Sequence, residues 1–144
     1  MLKQVRPDED GIGGRIAAAA LALVGTPFRL RGRDPRTGLD CVGLALVAFG
    51  RAGVPPVVAP AYQLRGTSRE RAEAALRCAG LVPAEAARAG DLVVAESGPM
   101  QLHLMICTGA GPSAAYVHAH AGLGRVVAMP GPISLPVLGI WRAA

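Results

Sequence analysis

Aromatic side chains are scarce in this chain: one Trp, two Tyr and two Phe make up 3% of 144 residues. With so few rings to stack bases and no recognisable nucleic-acid module, the net charge of +5 does not describe a nucleic-acid reader, which needs a basic stripe with stacking partners. A mild preference for an anionic polymer is all that the charge implies. Cysteine is sparse too. Cys41, Cys78 and Cys107 form an odd, unpatterned set, which excludes a disulfide framework and a metal knuckle with paired ligands. Neither Cys-x-x-Cys nor His-Glu-x-x-His spacing occurs, so no zinc site is expected, and no other metal or cofactor. Long apolar runs are also missing. Ile16 to Val24 follows Lys3, Arg6, Asp8, Glu9 and Asp10 and stops at Thr26-Pro27; it is too short to span a membrane and makes a poor signal peptide. The expectation is synthesis in the cytoplasm without an export signal.

What the chain does have is small apolar side chains. Its 51% hydrophobic content, with Ala and Gly prominent, calls for a closely packed core that tolerates little enlargement. The length suits one domain over 1–144, with 1–12 as a flexible lead. Gly14 to Gly25 is rich in helix formers and closes on glycine, which predicts a buried helix. A loop with Pro27, Gly32, Pro35, Gly38 and the cluster Arg29, Arg31, Arg33 and Arg36 follows, a composition suited to a surface segment near a site. Cys41 to Arg51 is apolar nearly all round and has Asp40 as a plausible N-cap, so it reads as a central helix. Pro55, Pro56 and Pro60 enforce a loop; Thr67-Ser68-Arg69-Glu70 has capping-box spacing and opens a surface helix that ends near Gly80.

Beyond Gly90 the texture turns to short β-leaning runs: Asp91–Val94, Leu102–Cys107, Tyr116–His120 and Arg125–Ala128. Helices first and strands second, without regular alternation, indicate an α+β fold, with an antiparallel sheet packed on the Cys41 helix. The apolar run Ile133 to Trp141 either closes the sheet or meets a partner.

Cys41 falls in the first turn of its helix. Unsatisfied backbone N–H groups there favour the thiolate, so a depressed thiol pKa is expected, with a nearby imidazolium lowering it further. Pivoting a hairpin about Gly109 to Pro112 sets His103 opposite His118 and Met105 opposite Tyr116, which puts both imidazoles on one face within reach of each other. His120 shares that face and competes for the place beside His103. Plainer readings exist for each residue. A cysteine in an apolar helix is usually a small hydrophobe, and His103 and His118 could be satisfied core histidines. Cys107 is about 13 Å along the strand from His103; it and Cys78 read as structural. The arginine cluster could be a solvated loop or a clamp for substrate carboxylates.

Several segments, in order, resemble the sequence marks of NlpC/P60 cell-wall cysteine peptidases: Phe28-Arg29-Leu30-Arg31-Gly32, Gly38-Leu39-Asp40-Cys41-Val42-Gly43-Leu44, Ala89-Gly90-Asp91-Leu92-Val93, His103-Leu104-Met105-Ile106 and Val117-His118-Ala119. The resemblance runs from about Gly25 to Val127. It implies a papain-like core in which Cys41 attacks a peptide carbonyl, His103 is base and then acid, and His118 orients His103. Phe28, Arg29, Asp40, Val42 and His120 would then border the substrate. The implied substrate is a peptidoglycan stem peptide, cut between D-glutamate and the diamino acid that follows. The Asp-Cys-Val-Gly-Leu form is most similar to peptidases of phage tails and gene transfer agents, which implies tail proteins as partners and action at the cell wall from a phage-like particle. Two residues depart from the family pattern: Phe28 stands where a Tyr is usual, and Val42 where Ser is common. The missing hydroxyl favours a rival reading, a structural tail component without activity. An amidase or acyltransferase on the same scaffold is a third, because a fold does not fix its substrate.

Overall fold

The computed structural model describes residues 11–58 and 62–143; Lys3, Arg6, Asp8 to Asp10 and Pro60, invoked above, lie outside the described residues. Helix α1 (Ile12–Ala22) leads to a two-stranded ribbon, β1 (Arg33–Asp34) and β2 (Gly38–Leu39), and then to α2 (Cys41–Arg51) and α3 (Arg69–Cys78). Six strands follow: β3 (Leu81–Ala84), β4 (Leu92–Gly98), β5 (Gln101–Cys107), β6 (Ala115–His120), β7 (Arg125–Pro130) and β8 (Val137–Ala143). They form one antiparallel sheet in the order β3-β8-β4-β5-β6-β7. The expected α+β architecture is therefore present, and the open question about 133–141 is answered: the C-terminal run enters the sheet between β3 and β4.

Helix α2 is the spine of the molecule. Val42, Gly43, Leu44, Ala45, Ala48 and Phe49 are all buried, and the helix packs on α1 to one side and on β5 and β6 to the other. Burying a Leu or Phe side chain contributes roughly 1.5–3 kcal/mol, and the cluster around α2 runs without a break from Ile16 of α1 to Trp141 of β8. Small residues make the close approaches possible. A Cβ on Gly43 would run into the Gly32 carbonyl oxygen, so the glycine two places after Cys41 lets the preceding loop lie directly on the helix. Gly90 has φ +86°, and a Cβ there would meet the backbone of Gly13, which fixes the turn before β4 against the start of α1.

Two sequence expectations need correction. Helix α1 is buried on one face only: Ile16 and Ala20 are fully covered, whereas Ala18 and Leu21 are exposed, because only one side of it has a neighbour. The N-cap of α3 is Ser68, which accepts from the Arg71 N–H at 3.2 Å. Thr67 instead donates its hydroxyl to the Gln63 carbonyl at 2.6 Å, so the residue that the capping-box spacing selected is held by the loop before it.

Candidate active site

Asp40 begins the site by ending the loop. Its Oδ1 accepts from the Gly43 N–H at 2.8 Å, an N-cap contact, and also from Arg33 at 2.6 Å, while its Oδ2 accepts from the Arg31 N–H at 3.0 Å. Its own carbonyl accepts from the Leu44 N–H at 2.9 Å. The N–H groups of the first turn that remain are those of Cys41 and Val42, and with the N–H of Leu104 on β5 they favour the Cys41 thiolate. The thiol, half-buried at its surface, opens on a cleft of about 500 Å³ that His103 and His118 also line.

The cleft exists because β5 and β6 pair only at Ile106↔Val117 and Cys107↔Tyr116. This register is shifted by two residues from the one that a turn centred on Gly109 to Pro112 predicts, since the connection runs from Thr108 to Ala114. His103 and His118 are therefore not directly opposed. A shift of two preserves the face, however, where a shift of one would have reversed it. The rings meet on the diagonal instead, with His103 Nε2 and His118 Nδ1 2.9 Å apart and the rings nearly perpendicular at 87°. His120 has a different task. Its Nδ1 accepts from the Leu123 N–H at 3.0 Å, closing the β6–β7 turn, and its ring is 5.6 Å from that of His118. Of the two candidates, His118 is the one in contact with His103.

The hydrogen-bond pattern suggests tautomers. If His103 Nε2 carries the proton and donates to His118 Nδ1, then His103 Nδ1 is left as an acceptor and His118 Nε2 holds its own proton; the same bond persists when His103 becomes an imidazolium. The protonation states differ from the sequence expectation. Burial pushes the Cys41 thiol up to about 11; the Leu104 N–H opposes this, the Asp40 carboxylate reinforces it, and the N–H groups of Val42 and Cys41 oppose it. Burial, with His118 and His120 as further like charges, takes His103 down to about 4. Burial and His120 lower His118 as well. Even at a separation of about 4 Å, a thiolate and an imidazolium would attract by only on the order of 4 kcal/mol at the effective dielectric of a partly buried site. The gap between these two groups spans several pKa units at about 1.36 kcal/mol each, so the resting pair is neutral thiol and neutral imidazole. Desolvation outweighs the helix N-terminus here.

Around this pair the cleft is walled by Phe28, Leu64 and Leu102, and Val42 and Asp40 border it. Phe28 offers no hydroxyl. Arg29 does not line the cleft; Arg31 does, together with Gln63, Arg65, Ser97 and Gln101. Of the other two arginines in the cluster, Arg33 is bound to Asp40 and to the Tyr62 carbonyl, and Arg36 pairs with Asp34. Arg31 belongs to the run that the sequence singled out, but Gln63 and Arg65 carried no local signal, since they reach the site through a loop that bridges Arg65 to Gln101. Cys107 is buried, with its S–H donating to the Gly109 carbonyl at 2.8 Å, and Cys78 is exposed at the end of α3. Among the described residues no group of three His, Cys, Asp or Glu side chains is arranged to hold a metal ion, and no helix is long and apolar enough to cross a membrane.

The model of the NlpC/P60 family matches residues 25–129. None of the curated proteins matches the sequence. Among solved structures, the chain is similar to the NlpC/p60 domain of the peptidoglycan hydrolase SagA, with 25% identity and a TM-score of 0.58 over 82% of this chain and 88% of that one. It is similar in fold to the peptidoglycan hydrolase RipB from Mycobacterium tuberculosis, with 21% identity and a TM-score of 0.58 over 96% of this chain and 68% of that one. NlpC1 from Trichomonas vaginalis shares the fold at 19% identity and a TM-score of 0.63; 99% of this chain is covered, but only 49% of that one.

Proposed function

This chain belongs to the NlpC/P60 family, and on that premise we propose that it is a cysteine endopeptidase of peptidoglycan stem peptides, acting as a single domain through an acyl-enzyme on Cys41. The observation that carries the reading is the 2.9 Å contact between His103 and His118 at the cleft that also holds the Cys41 thiol. His103 takes the thiol proton as the sulfur attacks the scissile carbonyl, so no lone ion is formed beforehand. The developing oxyanion faces the Cys41 N–H, and His103 returns the proton to the leaving amine. Water then enters, His103 removes its proton, and the thioester is hydrolysed. His118 holds the His103 ring and accepts from it throughout.

The finer reading follows the Asp-Cys-Val-Gly-Leu form: cleavage between D-glutamate and the diamino acid, by an enzyme made in the cytoplasm and carried by a phage or gene-transfer-agent tail to the wall. Phe28 favours a second reading, a tail component that keeps the fold without turnover, because an oxyanion-hole donor lost elsewhere costs on the order of 10²–10³ in rate. Purified stem peptides incubated with the protein and resolved by mass spectrometry separate the two. Cleavage that disappears in a Cys41→Ala variant supports the peptidase. Intact peptides with wild type, or equal cleavage by the variant, overturn it.

A further inference from the structure

The cleft has a charge imbalance that the reacting groups do not use. Asp40 is the only carboxylate among the described residues that line it, and Arg33 and two backbone N–H groups already occupy that carboxylate. Arg31 and Arg65 line the same cleft. Among the described residues the side-chain partner of Arg31 is the neutral Gln63, whose Oε1 accepts from Nη2 at 3.3 Å, and Arg65 forms no ion pair with a described residue.

Both arginines are held from behind. The Arg31 backbone has φ 59°, an unfavourable conformation for a side chain of this kind, and its N–H is fastened to the Asp40 carboxylate beside the nucleophile. Strained backbone of this sort gathers where a side chain must be aimed. Arg65 is bridged to Gln101, and the adjacent Gly66 N–H donates to the Met100 carbonyl at 2.7 Å. Gln101 lies two residues before His103 on β5, about 7 Å along the strand. The backbone of one arginine is thereby tied to the Cys41 side of the cleft and that of the other to the His103 side.

Resting on the peptidase reading, we propose that Arg31 and Arg65 form a carboxylate clamp, and that the enzyme selects stem peptides whose carboxyl groups beside the scissile bond are free over those in which they are amidated. A glutamyl residue linked through its γ-carboxyl keeps a free α-carboxylate, about three carbons from the scissile carbonyl, and a guanidinium receives such a group with two parallel N–H donors. An amide at that place offers one acceptor oxygen and no charge, so a fork aimed at it is left partly unpaired.

The test uses two synthetic stem peptides that differ only in a free or amidated carboxyl at that position. Wild type is expected to show a kcat/KM for the free acid about tenfold or more above that for the amide, in keeping with a charged hydrogen bond. Arg31→Gln and Arg65→Gln should each erode this ratio, mainly through KM for the free acid, and the double variant should abolish it; Arg31→Lys should retain part. Equal cleavage of both peptides by wild type, or a ratio unchanged in the double variant, overturns the clamp. Should wild type cleave neither peptide, the peptidase reading fails by itself. Binding of the same peptides to the Cys41→Ala protein by calorimetry then decides the clamp, for which tighter binding of the free acid is required and equal binding is fatal.

Discussion

Asp40 and Asp91 make nearly the same set of contacts in two regions of the molecule, and the consequences differ. Asp91 accepts from the Arg88 N–H at 2.9 Å and from Arg142 Nε and Nη2 at 2.9 and 2.7 Å, which ties the turn before β4 to the last strand. Its side chain is 2% exposed, and none of its partners lines the cleft. Asp40 accepts from one arginine too, and from two backbone N–H groups where Asp91 has one, but it is 15% exposed, borders the cleft, and its charge disfavours the neighbouring thiolate. A carboxylate with a full set of donors thus acts as a fastener in both places. Only where the fastened loop meets a helix start that carries a thiol, beside two strands that part, does the fastener also shape chemistry.

The largest effect should come from the cleft side. Replacing His103 with Ala is expected to lower kcat by 10³-fold or more, because Cys41 loses its base, while the urea midpoint of unfolding stays near that of wild type. A large loss of stability in that variant would make His103 a packing residue like those around Asp91. The opposite pattern is expected for Asp91→Ala. Arg142 is partly exposed and can be solvated, so losing its charged hydrogen bonds to Asp91 costs about 1.5–3 kcal/mol; the urea midpoint should fall clearly, while the protein that remains folded keeps its kcat. Loss of kcat in the folded fraction would show that the two regions are coupled. A smaller effect is expected from Phe28→Tyr, which restores a hydroxyl at the cleft wall: a gain of about tenfold in kcat would identify that hydroxyl as an oxyanion donor, and no gain would leave the Cys41 N–H as the sufficient one.

The sequence made the α+β order, the Asp40 cap and the central helix legible, because Gly, Pro and capping residues act locally. The pairing of His103 with His118 was legible through strand parity alone: the real register differs by two, and an even shift leaves the face unchanged. Strand β8 was harder to read. Pro136 precedes it and Gly139 interrupts it, and its place between β3 and β4 is a long-range choice that no local signal fixes. Arg65 reaches the cleft by pairing with Gln101, which is a fact of loop closure. The protonation of Cys41 was misjudged because a helix N-terminus can be read in sequence, whereas the burial that outweighs it depends on how closely β5 and β6 pack against the start of α2.

The neutral pairing of Cys41 with His103 is the claim on which the mechanism turns, and the pH dependence of Cys41 alkylation, followed by peptide mapping against exposed Cys78, tests it most directly. With the thiol held near 11 by burial, Cys41 should react more slowly than Cys78 at pH 7, and its rate should still be climbing above pH 9. A Cys41 rate that exceeds that of Cys78 and is already level at pH 6 would mean a preformed thiolate and imidazolium, and would contradict the account.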